Sequence, residues 1–322
     1  MSKHLIRRII FYSLHSIGFI FLYFILKDLE FKKLIELILK FPVWKVIFGL
    51  VILASVYLIK SLRWYLINQA FRIKSHYFHL LIFFLVSGFF SAITPGRLGE
   101  FVKIYFLKNK YKTTLPLATS SVLLDRIWDV LVLSLMGVIS MVLVFSNFQI
   151  QSWTILLIIL IFLLSIVMVL FPGSIFLPVI YITKKKSFTG ELRNIYSLWK
   201  ENKFRFLLPG FLTSITAFLL LAFIPVTFSV ELNAPVSFFT GISAVSISNI
   251  LSFLPITVAG FGTRELVFLK IWGLYGYYPE IAISVSTAHF IVTYLGSILI
   301  GSIVYILWFR KLYPVKLLKE DR

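Results

Sequence analysis

Cysteine is missing from all 322 residues, acidic side chains number only 13, and charged residues of both signs make up 14% of the chain. The first absence excludes disulfides, thiolate nucleophiles and cysteine-ligated zinc. The second excludes an ordinary soluble surface, which takes about 25% charged residues. What fills the space is apolar: 59% hydrophobic and 17% aromatic residues, with a mean hydropathy of +0.95. Runs such as 9–26, 153–171 and 280–309 are long enough to cross hydrocarbon roughly 30 Å thick. The composition therefore indicates an all-α polytopic membrane protein, with residues 1–322 as one integral membrane domain.

The net charge of +19 does not point to nucleic acid. Lys and Arg cluster just beyond the ends of apolar runs, the footprint of loops beside anionic lipid. Residues 1–8 carry Lys3, Arg7 and Arg8 ahead of the first apolar run, with no small-residue cleavage signal. A retained first helix is expected rather than a signal peptide.

Six full crossings are expected, at about 9–26, 43–63, 115–145, 153–182, 206–229 and 280–309. Two further apolar segments, about 80–107 and 237–275, are interrupted by TPGRLGE (residues 94–100) and AGFGTRE (residues 259–265). Lys60, Arg63, Arg72 and Lys74 precede the first of these, and Lys103, Lys108, Lys110 and Lys112 end it. Both clusters stay on one side only if the segment dips in and returns. Loops 146–152, 230–236 and 276–279 have no Lys or Arg, whereas 184–205 has seven and the tail from Arg310 has five. Both termini are then expected in the cytoplasm of a cell-membrane protein. The two re-entrant elements would enter from opposite sides. Residues 27–45, with five Lys, run against this pattern, partly offset by Asp28, Glu30 and Glu36. Segments 31–41 and 191–203 have amphipathic spacing and would lie either in the headgroup plane or against the protein.

The two broken stretches align. Pro95-Gly96 matches Ala259-Gly260, Gly99 matches Gly262, and Glu100-Phe101-Val102 matches Glu265-Leu266-Val267. Two inverted halves, about 43–145 and 206–309, are expected, an arrangement recurrent in transporters. A helix that stops inside the membrane leaves backbone N–H groups that lipid cannot satisfy. Half-helices starting near Gly99 and Thr263 would point positive dipole ends inward, and Arg97 and Arg264 add full charges. An anionic group such as a lipid phosphate would be held there. Internal pairing of Arg97 with Glu100, and of Arg264 with another carboxylate, is the alternative.

Other polar residues sit in apolar surroundings. Asp125 and Asp129 lie one turn apart in SVLLDRIWDVLVL, with Arg126 beside them, and His289 lies at comparable depth in the second half. They would line a cavity or relay a proton, or else form an Asp–Arg lock. Asn249 and Ser252 are cavity groups or helix–helix glue. His76 and His79 are spaced for a metal but sit in a basic loop with no carboxylate nearby, so no metal site is assigned. Neither glycine stretch supplies the GK[ST] ending of a nucleotide loop, and no cofactor is expected.

Taken in order, PGRLGE, VLLDRIWDVLVL and PITVAGFGTRE resemble the lysylphosphatidylglycerol synthase transmembrane region. This is a flippase-like family that includes the membrane half of multiple peptide resistance factor. The resemblance spans about residues 5–310. It implies an integral membrane protein that moves phospholipid or polyprenyl-linked headgroups between leaflets. By motif position it implicates Pro95, Gly96, Arg97, Gly99, Glu100, Asp125, Arg126, Asp129, Gly260, Gly262, Arg264 and Glu265. Arg97 stands where the family commonly has a second glycine. No stretch resembles the aminoacyl-transferring domain of the full-length synthases, so the chain is not expected to attach lysine to lipid. The expected function is binding and translocation of an anionic or polyprenyl-phosphate lipid. The competing readings are a membrane-bound glycosyltransferase or headgroup transferase, and a non-transporting partner of a separate synthase or glycosyltransferase.

Overall fold

Long apolar segments in this chain form helices because a membrane leaves no other partner for the backbone. The computed structural model describes residues 31–145, 152–170, 186–253, 260 and 262–309, and these form helices and turns with no strand among them. The helices are α1 (Phe31–Leu39), α2 (Val43–Ala70), α3 (Tyr77–Ile93), α4 (Val102–Tyr111), α5 (Leu115–Phe145), α6 (Ser152–Leu170), α7 (Lys186–Glu231), α8 (Phe238–Phe253), α9 (Thr263–Gly273), α10 (Pro279–Phe290) and α11 (Gly296–Val304). A wide π-type turn, Ile291–Leu295, joins α10 to α11, and a second, Tyr305–Phe309, follows α11. The expected first span at 9–26, residues 171–182 of the expected fourth span, and both termini lie outside the described residues.

Among the described residues, three stretches are long and apolar enough to cross a membrane: Val43–Ala70, Leu207–Glu231 and Pro279–Trp308. Tyr77–Ile93 and Phe238–Ser252 are apolar but shorter. α6 turns Leu156, Leu160, Leu163 and Leu164 outward, all about half exposed or more. An apolar surface of that kind suits a lipid environment. Inside, serine hydroxyls bond back to their own helix, as Ser87 does to the Phe84 carbonyl at 2.8 Å and Ser284 to that of Glu280 at 2.6 Å. This satisfies a polar group that apolar packing cannot.

Both interrupted segments are hairpins. In the first, α4 runs back along α3: the Phe83 and Phe106 rings are 4.8 Å apart, and the Tyr111 hydroxyl accepts from the His76 amide at 3.1 Å. The chain turns at Pro95–Phe101, where Gly96 and Arg97 both have positive φ, 58° and 56°. In the second, the end of α9 returns to the start of α8, and the Tyr277 hydroxyl donates to the Pro235 carbonyl at 2.7 Å. Here Gly260 and Gly262 carry positive φ, 74° and 83°.

Ion pairs mark the two ends of the bundle. Lys45 of α2 meets Glu231 of α7 at 3.0 Å, beside the origin of the second hairpin. Arg72, past the other end of α2, meets Glu201 of α7 at 3.1 Å, beside the origin of the first. The hairpins therefore enter the helix bundle from opposite ends.

Several boundaries differ from expectation. α2 runs to Ala70 rather than 63, because Lys60 and Arg63 are internal to the helix. The second half-helix of the first hairpin starts at Val102, not Gly99, because Pro95–Phe101 is a tighter 3-10 stretch. Segment 191–203 is no separate surface helix; it belongs to the 46-residue α7, where Ile195, Leu198 and Trp199 are buried. α1 packs on the protein through Leu37, while Ile35 stays exposed.

The tight turn at Gly99 permits a direct test. A Cβ there would stand 2.1 Å from the Phe90 carbonyl oxygen, whereas at Gly273 nothing lies within 4 Å. Gly99→Ala is expected to lower stability by about 1–3 kcal/mol, seen as earlier thermal unfolding in detergent. Gly273→Ala should unfold like the parent chain.

Candidate functional site

Carboxylates inside an apolar bundle need cations, and the fold brings them from two other elements, α2 and α4. Asp125 and Asp129 share one face of α5. Arg63 of α2 donates Nε to Asp125 at 2.8 Å and Nη1 to Asp129 at 2.8 Å. The same Nη1 reaches Ser214 of α7 at 2.6 Å. Lys103 of α4 meets Asp125 at 2.7 Å and Glu100 at 3.4 Å, with its ammonium 4.2 Å from the Phe84 ring centre. Lys60 of α2 meets Asp129 at 3.0 Å. Arg63, Lys103 and Asp125 are all at most 1% exposed, so each depends wholly on these partners.

Beside this cluster lies a cavity of about 90 Å³, large enough for several waters or a small headgroup. Its wall combines α2, α3, the first hairpin tip, α5, α8 and the α10–α11 rod. Tyr57, Ser87, Ser91, Thr293, Tyr294 and Ser297 give it a hydroxyl-rich surface, and Lys60, Arg97, Arg126 and Glu100 give it net positive charge. Arg97 crosses between the hairpins: its Nη2 donates to Asn249 Oδ1 at 2.6 Å and to the Tyr294 hydroxyl at 2.9 Å. Arg126 pairs with Glu100 through Nη2, which lies 3.5 Å from Asp129. Its Nε and Nη1 are buried with no hydrogen-bond partner, and so is His289 Nδ1. Arg126 and His289, which both line the cavity, thus carry buried polar atoms without a hydrogen-bond partner.

The candidates divide into three groups. Arg97, Glu100, Arg126, Asn249 and His289 line this cavity, and Asp129 lines a neighbouring one. Asp125 lines neither and serves as the hub of the ion cluster. Gly96, Gly99, Gly260 and Gly262 shape the two turns, and Pro95 begins the first. Arg264 and Glu265 pair with each other and are nearly inaccessible. Arg264 Nε also donates to Ser286 at 3.2 Å, and its guanidinium lies 4.4 Å from the Phe290 ring centre.

The helix starts are capped from within. The Gly262 amide donates to Glu265 Oε2 at 2.7 Å, and the Gly99 amide donates to Thr94 Oγ1 at 2.7 Å. These two amides are therefore occupied from within. Arg97 is held by Asn249 and Tyr294 across the hairpins, while Glu100 takes Arg126 and Lys103. The tilted His76 and His79 rings are 5.5 Å apart, and no third potential ligand joins them among the described residues.

Lys60, Arg63 and Lys103 escape sequence reasoning because charges at the borders of apolar runs read as loop cations. One signal was available: two buried aspartates require buried counter-charges. Tyr57 and Tyr294 are indistinguishable in sequence from the many other aromatics.

The ion cluster yields a stability prediction. Asp125→Ala strands Arg63 and Lys103 and should cost roughly 3–5 kcal/mol, read as a large loss of folded protein in denaturant titration. His289→Ala, which breaks no ion pair, should cost far less.

The profile described as "Lysylphosphatidylglycerol synthase TM region" matches residues 9–301. No curated protein and no solved structure matches the chain. With that match spanning nearly its whole length, this membrane protein belongs to the lysylphosphatidylglycerol synthase transmembrane-region family, which links it to lipid handling.

Proposed function

We propose that this protein carries the headgroup of an anionic phospholipid or a polyprenyl-phosphate lipid between leaflets. The passage is the polar cavity between the first hairpin tip, α8 and the α10–α11 rod, with acyl chains remaining in the surrounding lipid. The observation that carries this reading is Arg126. It lines the cavity, its Nε and Nη1 are buried without a hydrogen-bond partner, and a buried cation with spare donors suits an anionic oxygen. Arg97 and Lys60 add positive charge on the same wall, and the hydroxyl lining suits water or a polyol.

The halves 43–145 and 206–309 act as inverted repeats in this reading, each contributing a hairpin from its own side. Opposed hairpin origins support this, as do positive φ values at Gly96 and Gly260 in the matching turns. The end carrying Arg72, Lys74, Lys108 and Lys112 is assigned to the cytoplasm of a plasma-membrane protein, with both termini there. The chain itself transfers no group; a separate synthase or glycosyltransferase would supply or consume the lipid.

Leaflet exchange of a fluorescent phosphatidylglycerol in proteoliposomes tests this. The parent protein should accelerate exchange, and Arg126→Gln should slow it at least tenfold while unfolding at a similar temperature. Undiminished exchange in that variant, or none in the parent, contradicts the proposal.

A further inference from the structure

A second cavity, of about 20 Å³, adjoins the first. Asp129, Val132, Ser214 and Phe218 belong to it alone, while Lys60, Arg97, Leu221 and Asn249 face both spaces. Among these shared residues, Arg97 and Asn249 are bonded to each other, so the wall between the cavities includes the bridge from the first hairpin tip to α8.

Three features make this bridge a candidate moving part. Two of the bonds that Arg97 makes there go to uncharged acceptors, Asn249 Oδ1 at 2.6 Å and the Tyr294 hydroxyl at 2.9 Å. Its backbone is held at φ 56°, next to Gly96 at φ 58°, a conformation that costs free energy for a residue with a Cβ. Finally, the open donors of Arg126 share the cavity with it.

We propose that Arg97 is a ligand-operated latch between the hairpins, a step that rests on the anionic-headgroup reading above. A phosphate entering the larger cavity meets Arg126 and offers Arg97 a charged acceptor in place of Asn249 and Tyr294. The bonds to those neutral groups are charge-assisted from the donor side only, and a phosphate adds attraction between two full charges, so Arg97 exchanges partners. The tip then leaves Asn249, the shared wall parts, and the two cavities join into one passage. An empty protein keeps the wall shut, which prevents leakage of water and ions.

The lack of native cysteine makes the wall directly testable. Val132→Cys places a single thiol in the smaller cavity, and Leu133→Cys is a second reporter should the first fail to fold. Reaction with a small water-soluble methanethiosulfonate is timed in the full chain in nanodiscs. Dihexanoyl phosphatidylglycerol, dihexanoyl phosphatidylcholine or inorganic phosphate is then added. Acceleration of about fivefold is expected with phosphatidylglycerol and not with phosphatidylcholine. Acceleration by phosphatidylglycerol alone assigns the trigger to a lipid headgroup; acceleration by inorganic phosphate as well assigns it to the phosphate group. No acceleration by either anion overturns the latch.

Variants at Asn249 must act in opposite directions. Asn249→Ala should expose the thiol without ligand, and Asn249→Asp, which gives Arg97 a charged partner, should slow labelling below the parent rate. A misfolded protein cannot produce both changes. Equal rates in parent and both variants overturn the latch. Ligand-gated labelling in a protein that exchanges no lipid would sink the transport reading and leave the latch standing.

Discussion

Two carboxylates on one face of α5, deep in an apolar bundle, set the terms for everything around them. Asp125 and Asp129 are buried and need cations beside them, and those cations come from elsewhere in the chain. Arg63 fixes α2 against α5 and, through Ser214, against α7. Lys103 fixes the returning arm of the first hairpin. Without that ion cluster a half-length helix such as α4 would have little to hold it inside a membrane. With it, the hairpin tip has a defined position from which Arg97 reaches the other half of the molecule.

The polar groups of the two tips are used differently. In the second, Arg264, Glu265, Ser286 of α10 and the Gly262 amide bond to one another, leaving Arg264 Nη1 buried without a hydrogen-bond partner. Neither Arg264 nor Glu265 lines the cavity. In the first, Glu100 is shared between Lys103 and Arg126, and Arg126, which lines the cavity, has two buried donors without a partner. Net positive charge therefore collects on one side, where α2, α3, α5 and α10 meet. A hydrophobic isostere would be cheaper at such a place, which favours a functional reason for the charge.

Much of the architecture could be read from residue order. Pro95, Gly96, Gly260 and Gly262 sit in apolar stretches where helix would otherwise continue, and all lie at or beside the turns found. The Lys- and Arg-free stretches 230–236 and 276–279 flank the second hairpin, whose arms are α8 and α9. Charge placement was less legible: Lys60, Arg63 and Lys103 look like loop residues by the rule that puts basic clusters outside the membrane, yet each neutralises an acid buried by tertiary packing. For Arg264 the sequence left open a ligand role or pairing with a carboxylate, and the carboxylate it meets is that of Glu265, the next residue. Segment 191–203 looked like a surface helix because its Lys and Arg residues mask continuity with the apolar half of α7.

The central claim is spatial: two hairpins from opposite ends meet around a charged cavity, joined by Arg97. Cryo-electron microscopy of the protein in anionic-lipid nanodiscs tests it most directly. A broken helix at residues 94–101, separate helices ending at Phe253 and starting at Thr263, Arg97 beside Asn249 or a phosphate, and headgroup or water density next to Arg126 are the expected result. Unbroken spans through either segment, or Arg97 turned out into bulk water, would contradict it.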